Sequence, residues 1–150
     1  MVTSDNCPFV ADGVDGVFDA ETAKTLMQAA AHFDAYQEEA LRSAGDEASG
    51  TGGLPPVVYL SMGICGEAGE LIDHIKKRIR DNQPIDVDDV VEELGDLLWY
   101  IAVLTRRLTG GSLSDVAYGN IVKLRERYPD GFSAERSINR LKREQHKAYK

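Results

Sequence analysis

Apolar residues recur at intervals of three and four along most of this chain, and no stretch of useful length alternates apolar with polar. The pattern predicts helices throughout. Asp19 can cap a first helix that runs to about Ser43, with Leu26, Ala30, Phe33, Ala40 and Leu41 on its apolar face. Gly45 to Pro56 carries Gly50, Thr51, Gly52 and Gly53 together and reads as a flexible loop, long enough to serve as a lid or simply to lie on the surface. A second helix is expected from about Val57 to Arg80, broken by Asp81-Asn82-Gln83-Pro84-Ile85. Asp86 then caps a third, with Asp88 and Asp89 in the first turn, where negative charge suits the helix dipole. It runs to about Leu108 and ends at Gly110-Gly111. Ser112 or Ser114 opens a fourth helix that stops near Tyr128, before Pro129-Asp130-Gly131, and a short fifth starts after Ser133. The expected architecture is all-α, a compact bundle of four to five helices.

These elements divide the chain into a loose N-terminal arm at 1–18, one domain at 19–132, and a C-terminal helix with a basic tail at 133–150. A length of 150 residues suits a single domain with its own core. The formal net charge of −8 disfavours duplex nucleic acid and anionic membranes as partners. A phosphorylated small molecule stays compatible, because a bound divalent cation reverses the local field. Cys7 and Cys65 make no disulfide framework, which suits a reduced, cytoplasmic protein, and Cys65 is expected to be a buried small hydrophobe. No apolar run approaches the ~20 residues of a membrane span. The segment Met1 to Val17 has acids and no basic residue, unlike a signal or transit peptide.

Candidate chemistry sits on helices two and three. Gly66-Glu67-Ala68-Gly69-Glu70-Leu71 places Glu67 and Glu70 on one face, and Glu92-Glu93-Leu94-Gly95-Asp96-Leu97 does the same for Glu93 and Asp96. Each pair borders an apolar arc: Leu60, Ile64, Leu71 and Ile75 for the first, and Val90, Leu94, Leu97, Ile101 and Leu104 for the second. Helices joined by a short connection pack antiparallel, so the four carboxylates should meet at the rim of a shared core. Their mutual repulsion then calls for a divalent cation, and Mg²⁺ suits carboxylates, water and phosphate oxygens. Either pair alone would be an ordinary solvated face. Gly69 and Gly95, each weakening its helix by ~1 kcal/mol relative to alanine, suggest a close approach of ligand or backbone.

Glu67-x-x-Glu70, then 22 residues, then Glu93-x-x-Asp96 resembles the metal-binding signature of the MazG-like all-α nucleoside triphosphate pyrophosphohydrolases. Tyr36-Gln37-Glu38-Glu39-Ala40 is similar to that family's first helix, and Asn120-x-x-Lys123-Leu124-x-x-Arg127-Tyr128-Pro129-x-Gly131-Phe132 to its last core helix. The resemblance covers about residues 25 to 133. It implies a homodimeric or homotetrameric enzyme that cleaves a nucleotide between the α and β phosphates with Mg²⁺, Mn²⁺ being able to substitute. Glu67, Glu70, Glu93 and Asp96 would be its catalytic and metal-site residues. Glu93 is preferred to Glu92 because an acid follows it three residues later.

Asn120, Lys123 and Arg127 form one stripe of helix four, where the cations can hold phosphate oxygens and the amide a sugar or base. Lys77 on helix two is a further phosphate contact or a surface ion pair. His74, four residues after Glu70, can support the site from outside it. Trp99 and Tyr100 read as packing residues. Two other readings remain: a relative acting on dUTP or phosphoribosyl-ATP, and a non-catalytic helical oligomerisation or regulatory module. An oligomer is also expected from helix three, whose apolar arc from Leu104 through Val90, Ile101, Leu94 and Leu98 to Ala102 is wide for one chain to cover.

Overall fold

The computed structural model describes residues 19–45 and 55–139. The expected N-terminal arm, most of the glycine-rich loop, the basic tail and the packing of Leu26 and Ala30 lie outside the described residues. Four helices follow in order: α1 (Ala20–Ser43), α2 (Pro56–Arg80), α3 (Val87–Thr109) and α4 (Leu113–Arg127). Residues 134–139 are again helical, and the Ser133 hydroxyl accepts from the Arg136 amide at 3.3 Å. No strand occurs among the described residues, so the all-α reading holds. No helix among them is long and apolar enough to cross a membrane.

Local chemistry sets the helix ends. Asp19 Oδ1 accepts from the Thr22 amide at 2.8 Å, and Asp86 Oδ1 from the Asp88 amide at 3.2 Å, each satisfying a donor the first turn leaves unpaired. Helix α2 starts with Pro56, whose missing N–H is no loss at that position. Helix α3 ends at Gly110, in the left-handed region at φ 68°, with Arg106 and Arg107 in its last turn opposite Asp88 and Asp89 in its first.

The described residues fall into two compact units, one within 30–114 and the other made of those before residue 30 and after residue 114. In the first, Ala40, Leu60, Ala102, Val103 and Leu113 make the core, with Tyr36, Tyr59, Leu98, Trp99 and Tyr100 packed against it. Gln37 is fully buried, and both ends of its amide are hydrogen-bonded. Its Nε2 donates to the Ala102 carbonyl at 3.0 Å, and its Oε1 accepts from the Leu113 amide at 3.0 Å and from Arg106 at 3.4 Å. Asp34 accepts from both the amide and the hydroxyl of Ser114. The start of α4 is thus capped by two side chains of α1, from almost 80 residues away. Ser112 and Ser114, expected to open this helix, bond each other through their hydroxyls at 2.8 Å. Trp99 reaches α1 as well, donating to the Ser43 hydroxyl and the Ala40 carbonyl.

Two expectations about burial fail. Cys65 is exposed, because it falls on the outward stripe of α2 with Val58, Met62 and Ile72. Phe33 is 42% exposed, although its spacing put it on the apolar face of α1. In the other unit, Tyr118 is buried, while Val116 and Leu124 are exposed.

Candidate metal centre

Helices α2 and α3 pack against each other along their length, and their pairings give the register. Going up α2 through Gly63, Glu67, His74 and Arg78, the partners on α3 run down through Tyr100, Asp96, Asp89 and Asp86. The helices are therefore antiparallel, and residues three apart on each form facing rows.

That register brings carboxylate oxygens of Glu67, Glu93 and Asp96 within 4.8 Å of one another. Glu93 is buried, Glu67 half-buried and Asp96 exposed, so the group runs from the helix interface outward. Its neighbour Glu92 is exposed. Glu70 stands outside the three-residue group but close enough to act on Glu67 by charge. The Glu67 carboxyl is pushed above its ordinary range, first by burial, then by the charges of Asp96, Glu70 and Glu93.

The donor set fits a hard divalent cation. All three donors are carboxylate oxygens. Ligands of an octahedral ion at about 2.1 Å lie roughly 3–4.2 Å apart, a spread the cluster can supply. Mg²⁺ retains several waters and needs few protein ligands.

His74 faces the same cluster from α2. Its Nε2 lies 3.2 Å from Glu93 Oε1, and its Nδ1 lies 3.4 Å from Asp89 Oδ2. Arg78 pairs with Asp86 at 2.9 Å and stands 3.9 Å from Asp89. The sequence reading singled out His74 but missed Asp89 and Arg78. Asp89 lies one helical turn before Glu93, and extending the antiparallel register by that turn would have found it.

Aromatic side chains flank the acids. Burial, then the Asp96 charge, pushes the Tyr36 hydroxyl up; burial first, then Tyr59, Glu67 and Asp96, does the same for Tyr100. Tyr100 lies over Gly63, where a Cβ would sit 2.2 Å from the ring. Nothing comes within 4 Å of a Cβ placed at Gly66, Gly69 or Gly95. Gly69 and Gly95 thus border open space and no neighbouring backbone, while Gly63 makes room for the Tyr100 side chain.

The remaining candidates are placed as follows. Lys77 is held by Asp73 on its own helix at 2.5 Å, as is Lys76. Asn120 and Lys123 are exposed on α4 and Arg127 is half-buried, all three in the other compact unit.

Comparison with known proteins gives the lineage. The MazG nucleotide pyrophosphohydrolase domain matches residues 59–132, a span that includes the whole α2–α3 cluster. A protein named "Gene 37 protein", from Mycobacterium phage L5, is 36% identical over 105 residues, covering 67% of this chain and 91% of that protein. No solved structure matches. With this match, this relative and the all-α fold together, the chain belongs to the MazG nucleotide pyrophosphohydrolase domain family.

Proposed function

We propose that this protein is a Mg²⁺-dependent nucleoside triphosphate pyrophosphohydrolase, converting an NTP or dNTP to the nucleoside monophosphate and pyrophosphate. The observation that supports this most directly is the convergence of Glu67, Glu93 and Asp96 from two antiparallel helices. Buried and half-buried acids that repel one another are an expensive arrangement unless a cation joins them.

Glu67, Glu93 and Asp96 would hold the ion, with Glu70 beside them on α2. When bound, Mg²⁺ supplies neutralisation of phosphate charge and lowers the pKa of an attacking water. Glu70, or Glu67 if it serves as base instead of as a ligand, takes the proton of that water as it adds to the α phosphorus. The bond between the α phosphorus and the bridging oxygen breaks, and pyrophosphate leaves. Lys123 and Arg127 are the proposed phosphate contacts and Asn120 a proposed sugar or base contact. Lys77 joins them only by leaving Asp73. The sequence carries no Gly-x-x-x-x-Gly-Lys-Ser/Thr loop of the kind that cradles a β–γ group for terminal transfer. We further propose a cytoplasmic homodimer or homotetramer.

The test is hydrolysis of a nucleotide panel in heavy-oxygen water. Attack at the α phosphorus puts the label in the monophosphate and none in pyrophosphate. Glu67→Gln and Asp96→Asn should each abolish the product and leave the helical circular dichroism intact. Lys123→Ala should lower turnover or raise the Michaelis constant without unfolding the chain. Label in pyrophosphate overturns the geometry of attack. Turnover of dUTP or phosphoribosyl-ATP alone redirects the substrate class. No Mg²⁺-dependent turnover of any nucleotide favours a non-catalytic helical module.

A further inference from the structure

Glu93 is the most buried acid of the cluster, with its side chain 10% exposed, and it needs a partner that fixes which way its oxygens point. A carboxylate has two oxygens, so one can be held while the other serves a cation. The His74 ring stands 3.2 Å from Glu93 Oε1. Its other nitrogen faces Asp89, and Arg78, bonded at 2.9 Å to Asp86, the residue that caps α3, stands 3.9 Å from Asp89 as a neighbouring charge. The series Asp86, Arg78, Asp89, His74, Glu93 thus crosses between the helices and ends on a fixed helix terminus. Asp89 and Arg78 stand outside the three-carboxylate group, so their arrangement is not explained by metal ligation.

We infer that His74 is a positioning residue: with Asp89 behind it, it orients Glu93 and thereby sets the affinity of the carboxylate cluster for its divalent cation. This rests on the metal-site reading above. Without the ring, Glu93 is free to turn toward solvent, and the cation must reorder it. Outer-shell partners of metal ligands act in this way, and their loss typically lowers affinity by about 10- to 100-fold.

The experiment uses the full-length chain and Mn²⁺ as a spectroscopic probe, with free ion read by electron paramagnetic resonance and Mg²⁺ binding by calorimetry. His74→Ala should weaken Mn²⁺ by about 10-fold or more, the lower end of the usual range. His74→Gln, which returns an amide N–H toward Glu93, should restore most of the loss. Asp89→Asn should weaken binding less, and combining it with His74→Ala should add little, because both act through one path. Circular dichroism checks that each variant is folded. Mn²⁺ binding by His74→Ala within twofold of the wild type overturns the relay alone. So does tighter binding, which would mean that the ring competes with the cation. No Mn²⁺ bound by the wild type overturns the metal site and the relay together.

Discussion

The Tyr100 ring occupies the space where Gly63 has no side chain: a Cβ at residue 63 would lie 2.2 Å from Cε1 of the ring. Gly63→Ala therefore forces a packed aromatic ring beside the acids to move. Overpacking of this kind costs about 1–3 kcal/mol, and the gain in helix propensity offsets at most about 1 kcal/mol. The melting temperature should fall by roughly 2–6 °C. Tyr100→Leu in the Gly63→Ala background should recover part of the fall. If Gly63→Ala alone leaves the melting temperature unchanged, the two helices are not in this register.

Gln37 joins α1 to α3 and to the first residue of α4. Gln37→Leu keeps bulk but orphans the amide of Leu113, which has no partner within its own helix, whereas the Ala102 carbonyl keeps its place in the α3 ladder. One buried unpaired donor should destabilise by about 1–3 kcal/mol. Urea denaturation should show a lower midpoint at an unchanged slope. An unchanged midpoint would mean that water or a shifted backbone replaces the bond to Leu113.

Clustered acids should make the metal-free protein less stable than it is with Mg²⁺. The ion binds the native cluster and not the unfolded chain, so the melting temperature should rise with Mg²⁺ concentration. Glu67→Gln removes a carboxyl that Asp96, Glu70 and Glu93 all repel, so it should melt higher than the wild type in chelator. The same variant should respond less to Mg²⁺. Identical wild-type melting in Mg²⁺ and in chelator would count against a functional cluster.

Asp73 gives a pH signature away from the cluster. Hydrogen bonds from Lys76 and Lys77 hold its carboxyl down to about 2, against an ordinary value of 3.8. A depressed folded-state pKa contributes stability that is complete above the unfolded value and lost as pH falls through the folded one. Asp73→Asn should therefore melt slightly below the wild type at neutral pH, with the difference closing between about pH 4 and pH 2. Solvent screening keeps the difference small. A difference that widens on acidification would reverse the assigned sign.

Of the apolar arc of α3, only Leu94 and Ile101 are exposed, and Ala102 is buried. Val87, Val91 and Leu108 on α3 and Met62, Ile72 and Ile79 on α2 are exposed as well. Exposed large apolar residues in such number favour a partner surface. Light scattering at micromolar concentration should give a mass above the 16.5 kDa of one chain. A monomer alone would require another cover for these residues.

What the sequence by itself determined is local. Asp19, Asp86 and Gly110 placed helix ends because capping is settled by a residue and its next few neighbours. Three-residue spacing put Glu67 with Glu70, and Glu93 with Asp96, on shared faces, since that depends only on helical pitch. The preference for Glu93 over Glu92 was legible for the same reason.

Only the tertiary structure decided what depends on how one helix is shifted and turned against another. Packing placed Glu67, Glu93 and Asp96 within ligand distance of one another and left Glu70 outside the group. It set His74 between Glu93 and Asp89, put Gly63 rather than Gly69 or Gly95 under a neighbour, and left Cys65 exposed. It also brought Asp34 and Gln37, far away in the chain, to the first amides of α4, in addition to the serines that open that helix. Periodicity defines a face relative to its own helix axis. The distance between groups on two helices is set by the interlocking of their side chains, which no single segment contains.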